Sequence, residues 1–455
     1  MCQPVLVLRF HLGGDPLMSI VAGRWAILEP GSDPVRNAAV RVEEGLIAEV
    51  GARAELVARH PQLPIVDGDL LLPGFVNAHT HTYGVLAHGI PQAAAVTDFW
   101  SFLTDYWWPR VEDALDQEMI ATATEWAVAE MLRTGTTTFY DILEAPKSLP
   151  GVLTAQADVV ERMGARGILS FEATERAGPE IAALGLSENV AMIGTARANA
   201  ADLVTGAMCF HTTFTCSERY IREAFGLADD LGVFCHAHVN EGTYEAEATI
   251  ARHGLRTIEL YADWGVLSDR FLASQCVQLS AHERDLLAQH DVRVSHMPLA
   301  NCEVGGGIAP MPELLAAGVT VGLGSDGYLN DMFQVMRGAS LIHKGRLCDP
   351  QVMPARTVVV MATTGAARSL GLEQRVGRLT AGFAADLQLV DLSLPTTPTA
   401  DNLYEQLVLW RSGADVTDVM VAGSWRVRAR ELIGVDLPRL RARVREQAER
   451  LWTTA

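Results

Sequence analysis

With 455 residues, 49% of them hydrophobic and 20% charged, the chain is long enough to bury one large domain and a smaller one. Its 55 acidic against 36 basic residues give a formal charge of -19 with no basic cluster, which argues against nucleic acid and anionic membranes as partners. Seven cysteines are scattered without a CxxC pair, a usage that fits a reducing cytoplasm better than a disulfide-built secreted fold.

In chain order, residues 1–17 carry a short apolar patch, Pro4 to Phe10, but lack the charged start, long apolar stretch and small-residue cleavage site of a signal peptide. A loose extension is expected there, and no run has the length and freedom from charge of a membrane span. From Ser19 to Leu72 the pattern is short strands with turn punctuation: Ile20 to Leu28, Ala38 to Glu43, Leu46 to Val50 and Leu70 to Leu72. At Gly74 the pattern changes to apolar runs of strand length alternating with longer amphipathic segments. The runs are Gly74 to Ala78, Thr136 to Asp141, Gly167 to Phe171, Val204 to His211, Val233 to Val239, Phe271 to Leu279, Val292 to His296 and Val319 to Gly324. Eight of them predict a closed (β/α)8 barrel, a TIM barrel of the α/β class.

After a helix expected over Pro354 to Leu370, short strands return at Asp386 to Val390 and at Val416 to Val427 around Gly423, before a charged helix from Leu437 to Trp452. These late strands are expected to complete the early sheet. The predicted organisation is an extension over 1–17, a small split domain over 18–72 and 372–455 that includes the C-terminal helix, and the barrel over 73–371.

Chemistry concentrates at the ends of predicted strands. His79 and His81 follow the first barrel run two residues apart, so both rings can face one point at its carboxyl end. His236 and His238 share a face at the end of the fifth, where either can ligate, and Glu241 follows in the loop. Asp326 ends the eighth run, which closes beside the first. Three strand ends thus offer histidines and an aspartate to one divalent ion. The only lysines are Lys147 and Lys344, neither in a barrel run, which argues against a second metal bridged by a carboxylated lysine.

These residues resemble the amidohydrolase superfamily, and more closely its aminohydrolase and chlorohydrolase branch, through PGFVNAHTH, HVNEG and VGLGSDG. FLTDYWWPRVEDALD, EATERAG and GLGSDGYLNDMFQVM are similar to the SsnA group of aminohydrolases. The resemblance runs from about Met18 to the end. It implies His79, His81, His238 and Asp326 as metal ligands, Glu241 as proton shuttle and a split β-sandwich around the barrel. Zinc is the default ion, with iron or manganese able to use the same ligands. The resemblance further implies a small-molecule substrate, a homodimer or larger homo-oligomer, and a substrate-side role for His211 in CFHTTFTCS. His296 in VSHMP is a candidate pocket residue or a barrel-rim histidine.

Two departures stand out. Relatives place a histidine at the end of strand six in an HCVHL-like motif, whereas this chain has Gln275-Cys276-Val277-Gln278-Leu279. Gln275 can donate a hydrogen bond but cannot carry a proton. Where relatives have an HNPxSN-like stretch, this chain reads His296-Met297-Pro298-Leu299-Ala300-Asn301-Cys302, which makes Cys302 a candidate pocket residue. Trp100, Trp107 and Trp108 fall in a loop that relatives fold over the site, with Trp108 the candidate to stack on a flat ring.

The function expected from this set is hydrolytic deamination of an N-heterocycle, a purine, pterin or triazine-like ring, through metal-activated water. Asp326 and Glu241 are the expected proton-handling residues. The alternatives are hydrolysis of another C–N or C–Cl bond on the same site, or a non-catalytic ligand-binding relative, because of Gln275.

Overall fold

The computed structural model describes residues 18–91, 96–199 and 203–454, so the extension expected over 1–17 lies outside the described residues. Four strands come first: β1 (Met18–Ala26), β2 (Val35–Glu43), β3 (Leu46–Ala52) and β4 (Ile65–Pro73). The barrel strands follow as β5 (Phe75–Thr80), β6 (Thr136–Leu143), β7 (Arg166–Phe171), β8 (Val204–Gly206), β9 (Met208–Cys209), β10 (Cys235–Val239), β11 (Phe271–Gln275), β12 (Arg293–His296) and β13 (Val321–Leu323). The chain ends with β14 (Leu387–Val390), β15 (Val416–Val421), β16 (Ser424–Arg428) and β17 (Glu431–Leu432).

Every residue of β5, β6 and β7 is buried, as parallel strands covered on both faces must be. The predicted fourth run is split into β8, which pairs with β7, and β9, which pairs with β10. The two resulting sheets meet through parallel bridges between Ala173 and Phe210 and between Thr80 and Asp326. The second bridge sets the segment just after β13 beside the end of β5 and so defines one corner of the site.

The remaining strands form one eight-stranded sheet in the order β17-β16-β15-β14-β4-β1-β2-β3, joined across the chain by antiparallel pairing of β14 with β4. The sheet folds over on itself. Ile47 donates to the Phe383 carbonyl and Ala385 to that of Gly45, enclosing a core that includes Val40, Leu71, Leu389 and Trp425. This is the expected sandwich, built by curling a single sheet.

Two expected helices differ in detail. The segment 354–370 forms Ala355–Met361 and Thr364–Ser369, because the Ala362 carbonyl accepts the Val76 amide of β5 at 2.9 Å. The C-terminal helix Leu437–Thr454 packs against the barrel helix Gln117–Arg133. Arg450 pairs with Asp116 and Glu118 there, Arg443 pairs with Glu125, and Trp452 Nε1 donates to the Leu86 carbonyl at 2.8 Å.

Candidate metal centre and active site

The His79-Thr80-His81 segment is held by its surroundings at both ends. Thr82 donates its amide to Asp141 Oδ1 at 2.7 Å, and Gln156 Nε2 donates to the other oxygen of that buried carboxylate at 2.6 Å. On the other side Ser325 and Asp326 donate their amides to the His79 carbonyl at 2.9 and 3.0 Å, while Asn77 and Ser325 exchange two hydrogen bonds. Gly324 permits this approach, since a Cβ at that position would lie 2.8 Å from His79 Cβ. Asp326 itself has a positive φ of 61°, a conformation that costs roughly 1–3 kcal/mol in a residue other than glycine and tends to persist at functional sites.

One ring nitrogen from each of His79, His81 and His238 lies within 4.8 Å of the other two. Asp326 Oδ1 is 3.6 Å from His81 Nε2 and its Oδ2 is 3.9 Å from His79 Nε2. His81 donates Nδ1–H to the Ile142 carbonyl at 2.6 Å, leaving the Nε2 lone pair toward the aspartate. His79 is completely buried with neither ring nitrogen hydrogen-bonded, and burial followed by His238 and His81 holds its pKa well below the usual value. A buried imidazole kept neutral and unpartnered within a set of three histidines and a carboxylate fits a divalent cation.

Glu172, just beyond β7, lies 2.7 Å from His238 Nδ1 in a buried ion pair. It is also 3.8 Å from His211 Nε2. Burial pushes this carboxyl up, but His238 and His211 outweigh that and hold it well below the usual range. For His238 burial acts downward, and Glu172 overrides it to raise the pKa to about 9. His211 goes the other way, to about 3, mainly through burial, and its Nδ1 lies 3.0 Å from Thr215 Oγ1. Glu241 is pushed up to about 8, first by burial and then by Asp326.

A cavity of about 620 Å³ opens above these groups and is lined by His81, His211, His238, Glu241, Asp326 and Glu172, with Phe102, Tyr106 and Trp107 on one wall. The Asn240-Glu241 turn is fixed because Glu245 accepts the Asn240 amide and Glu283 accepts its side-chain amide. Gly242 lets the aromatic loop close over this turn, since a Cβ there would lie 2.8 Å from Phe99.

The other expected site residues fall in different places. Gln275 is fully buried with φ 67°, and its Nε2 donates to Asp326 Oδ2 at 2.7 Å while its Oε1 accepts from Asn301. It therefore braces the aspartate and is not among the cavity-lining residues. Trp108 lies behind the wall, 5.9 Å ring to ring from His211 and beneath the Arg176 guanidinium, while Trp107 lines the cavity. His296 is turned away, its Nε2 3.1 Å from His343 Nε2 in a buried pair. Cys302 is exposed and outside the cavity lining, although Ala300 and Glu303 beside it belong to that lining. His236 is fully buried behind His79, with Nδ1 3.2 Å from Cys209 Sγ.

Sequence reasoning did not single out Glu172 or the group behind it, in which Arg176 binds Glu112, Asp113 and Glu144. The available signal was positional: Glu172 directly follows a barrel strand at the end where His79, His238 and Asp326 also lie.

The profile of the Amidohydrolase family matches residues 70–426. A 5'-deoxyadenosine deaminase of Methanothermobacter thermautotrophicus is 34% identical over 412 residues, covering 89% of this chain and 92% of that protein. A 5-methylthioadenosine/S-adenosylhomocysteine deaminase of Moorella thermoacetica is 32% identical over 422 residues, covering 91% of this chain and 96% of that protein. Among solved structures, an adenosine deaminase from Xanthomonas campestris with bound zinc superposes with a TM-score of 0.86 at 28% identity, over 95% of this chain and 98% of that one.

Proposed function

Because the chain belongs to the amidohydrolase family and is a hydrolase acting on carbon–nitrogen bonds other than peptide bonds, we propose that it deaminates an adenosine-like N-heterocycle at the centre formed by His79, His81, His238 and Asp326. The observation that carries this reading is His79, buried with neither ring nitrogen hydrogen-bonded among the described residues, at the focus of the set. A divalent ion held by these four residues, zinc by preference, would supply a Lewis acid strong enough to make water deprotonable near neutral pH.

The chain's own groups divide the remaining work. Both Asp326 oxygens already accept hydrogen bonds, Oδ1 from the Gly327 amide and Oδ2 from Gln275, so the aspartate is set as a ligand. Proton handling then falls to Glu241, a carboxyl that lines the cavity beside the metal set and is placed to deliver a proton to a ring nitrogen or to departing ammonia. Glu172 fixes His238 from behind and His211 closes the side toward the aromatic wall, which supplies a flat apolar face for the ring.

The test is ammonia release from adenosine, 5'-deoxyadenosine and 5'-methylthioadenosine, with metal content measured on the same protein and on His238→Ala and Asp326→Ala. About one ion per chain, lost in both variants together with ammonia release, supports the reading. An enzyme that releases ammonia at full rate after complete metal removal overturns it. A second reading is kept because Gln275 stands where relatives carry histidine: release of a different leaving group, such as chloride or a substituted amine, detected by product analysis of a triazine panel.

The same proposal includes a homodimer, to be read by sedimentation, and a reducing compartment, supported by the six described cysteines that form no disulfide. Among the described residues no helix is long and apolar enough to cross a membrane.

A further inference from the structure

The deaminase reading names a ring but not what the ring carries, and the charges lining the cavity bear on that. Six carboxylates face it: Asp98, Glu112, Glu172, Glu241, Glu303 and Asp326. Among the described residues no lysine or arginine lines it. Arg176 lies behind the wall, committed to Glu112, Asp113 and Glu144.

Most of these carboxylates have partners. Glu112 holds Arg176, Glu172 lies against His238 and His211, and Asp326 belongs to the metal set with Glu241 beside it. Asp98 and Glu303 are left toward the rim. Asp98 is exposed and caps the turn at Ser101, and Glu303 is exposed with no ion pair among the described residues. Phe102, Tyr106 and Trp107 line the same cavity, and aromatic faces attract cations.

We propose that this cavity sorts its substrates by charge, accepting N-heterocycles whose substituents are uncharged or cationic and rejecting those that carry a phosphate or carboxylate. The inference rests on the deaminase reading of the same site. An anionic substituent gives up its hydration on entering and, away from the metal set, meets like charge with no lysine or arginine among the described lining residues to pair with. A neutral substituent loses little, and an ammonium gains both carboxylate and aromatic partners. S-adenosylhomocysteine, which gives some relatives their name, carries an amino-acid carboxylate beside an ammonium, and in this cavity only the ammonium finds partners, so the chain is expected to favour the smaller, uncharged or amine-bearing nucleosides.

The experiment measures binding by calorimetry to metal-loaded Glu241→Gln, so that turnover does not intrude, and kcat/KM by ammonia release on the unmodified enzyme. The ligands are adenosine, 5'-methylthioadenosine, 5'-amino-5'-deoxyadenosine, adenosine 5'-monophosphate and S-adenosylhomocysteine. The neutral and amine-bearing nucleosides are expected to bind at least about tenfold more tightly than the monophosphate, with the homocysteine conjugate also disfavoured. The gap should narrow in a Glu241→Gln, Glu303→Lys double variant, which reverses an exposed rim charge at little cost to folding. Equal or tighter binding of the monophosphate overturns the proposal while leaving deamination intact. So does a gap that Glu303→Lys does not move. Absence of binding by every nucleoside overturns the heterocycle reading and this proposal with it.

Discussion

Glu241 and Gln275 are the residues on which the chemistry turns, and each makes a separable prediction. Glu241→Gln should keep the metal and bind the ring, yet lose about 10²- to 10⁴-fold in kcat, the usual span for a positioned acid–base group. Rapid-quench measurement of the first turnover checks that the chemical step is the one that slows. Gln275→Ala removes the donor to Asp326 Oδ2, leaving Asn301 without its acceptor and the Asp326 carboxylate braced at Oδ1 alone by the Gly327 amide. Metal affinity is expected to fall about 10- to 100-fold, as with other supports of a ligand, measured by competition with a chromogenic chelator, and Gln275→His should recover part of it. Away from the centre, the buried His296 and His343 rings face each other at 3.1 Å, an arrangement that requires one to donate and one to accept. Burial lowers the pKa of His343 to about 4 and that of His296 well below its usual value. The unfolded chain therefore binds more protons than the folded one between about pH 4 and 6.5, so stability is full above that window and falls as pH drops through it. Thermal melts across this range should show the loss, and His343→Gln should flatten it.

At the scale of elements, the loop after β5 and the turn after β10 are placed by contacts that leave little room. Gly242→Val should push Phe99 aside at a cost of about 1–3 kcal/mol, with KM rising and metal content unchanged, which a KM-against-kcat comparison with metal analysis would read. This is also the scale at which the sequence was most and least informative. All eight barrel runs were legible, because parallel strands covered on both faces leave continuous apolar stretches, and HTH, HVNEG and SDG marked their carboxyl ends. The break at Ala362 was not legible, since it depends on a carbonyl leaving its own helix to meet Val76. Nor was the direction of Gln275. Composition says that an amide donates; only the placement of Asn301 and Asp326 says to what. Trp107 and Trp108 are neighbours in sequence and nearly alike, and the helical turn over Phe102–Trp107 decides which one lines the cavity.

At the scale of the whole molecule, barrel and sheet are joined by a buried ion pair. Arg166 at the start of β7 reaches Asp386 just before β14 through two hydrogen bonds of 2.9 and 3.1 Å, both side chains almost fully enclosed. Asp386 also accepts the Ala422 amide, so its charge links two strands of the sheet. Arg166→Ala strands that carboxylate and is expected to cost about 3–5 kcal/mol, measured as a lower urea midpoint. Replacing both partners by apolar residues of similar size should restore much of the loss.

The hydrogen bond from Trp452 to the Leu86 carbonyl spans 366 positions of sequence, and it bears on how the protein is born. A ribosome adding about 5–20 residues per second exposes Leu86 roughly 20–70 s before it makes the tryptophan that braces it. The turn that ends at Leu86 and leads into the cavity-lining Ala87 and His88 therefore waits, through most of translation, for the helix Leu437–Thr454 to dock. A nascent chain stalled short of that helix can hold its barrel strands and still lack a finished pocket.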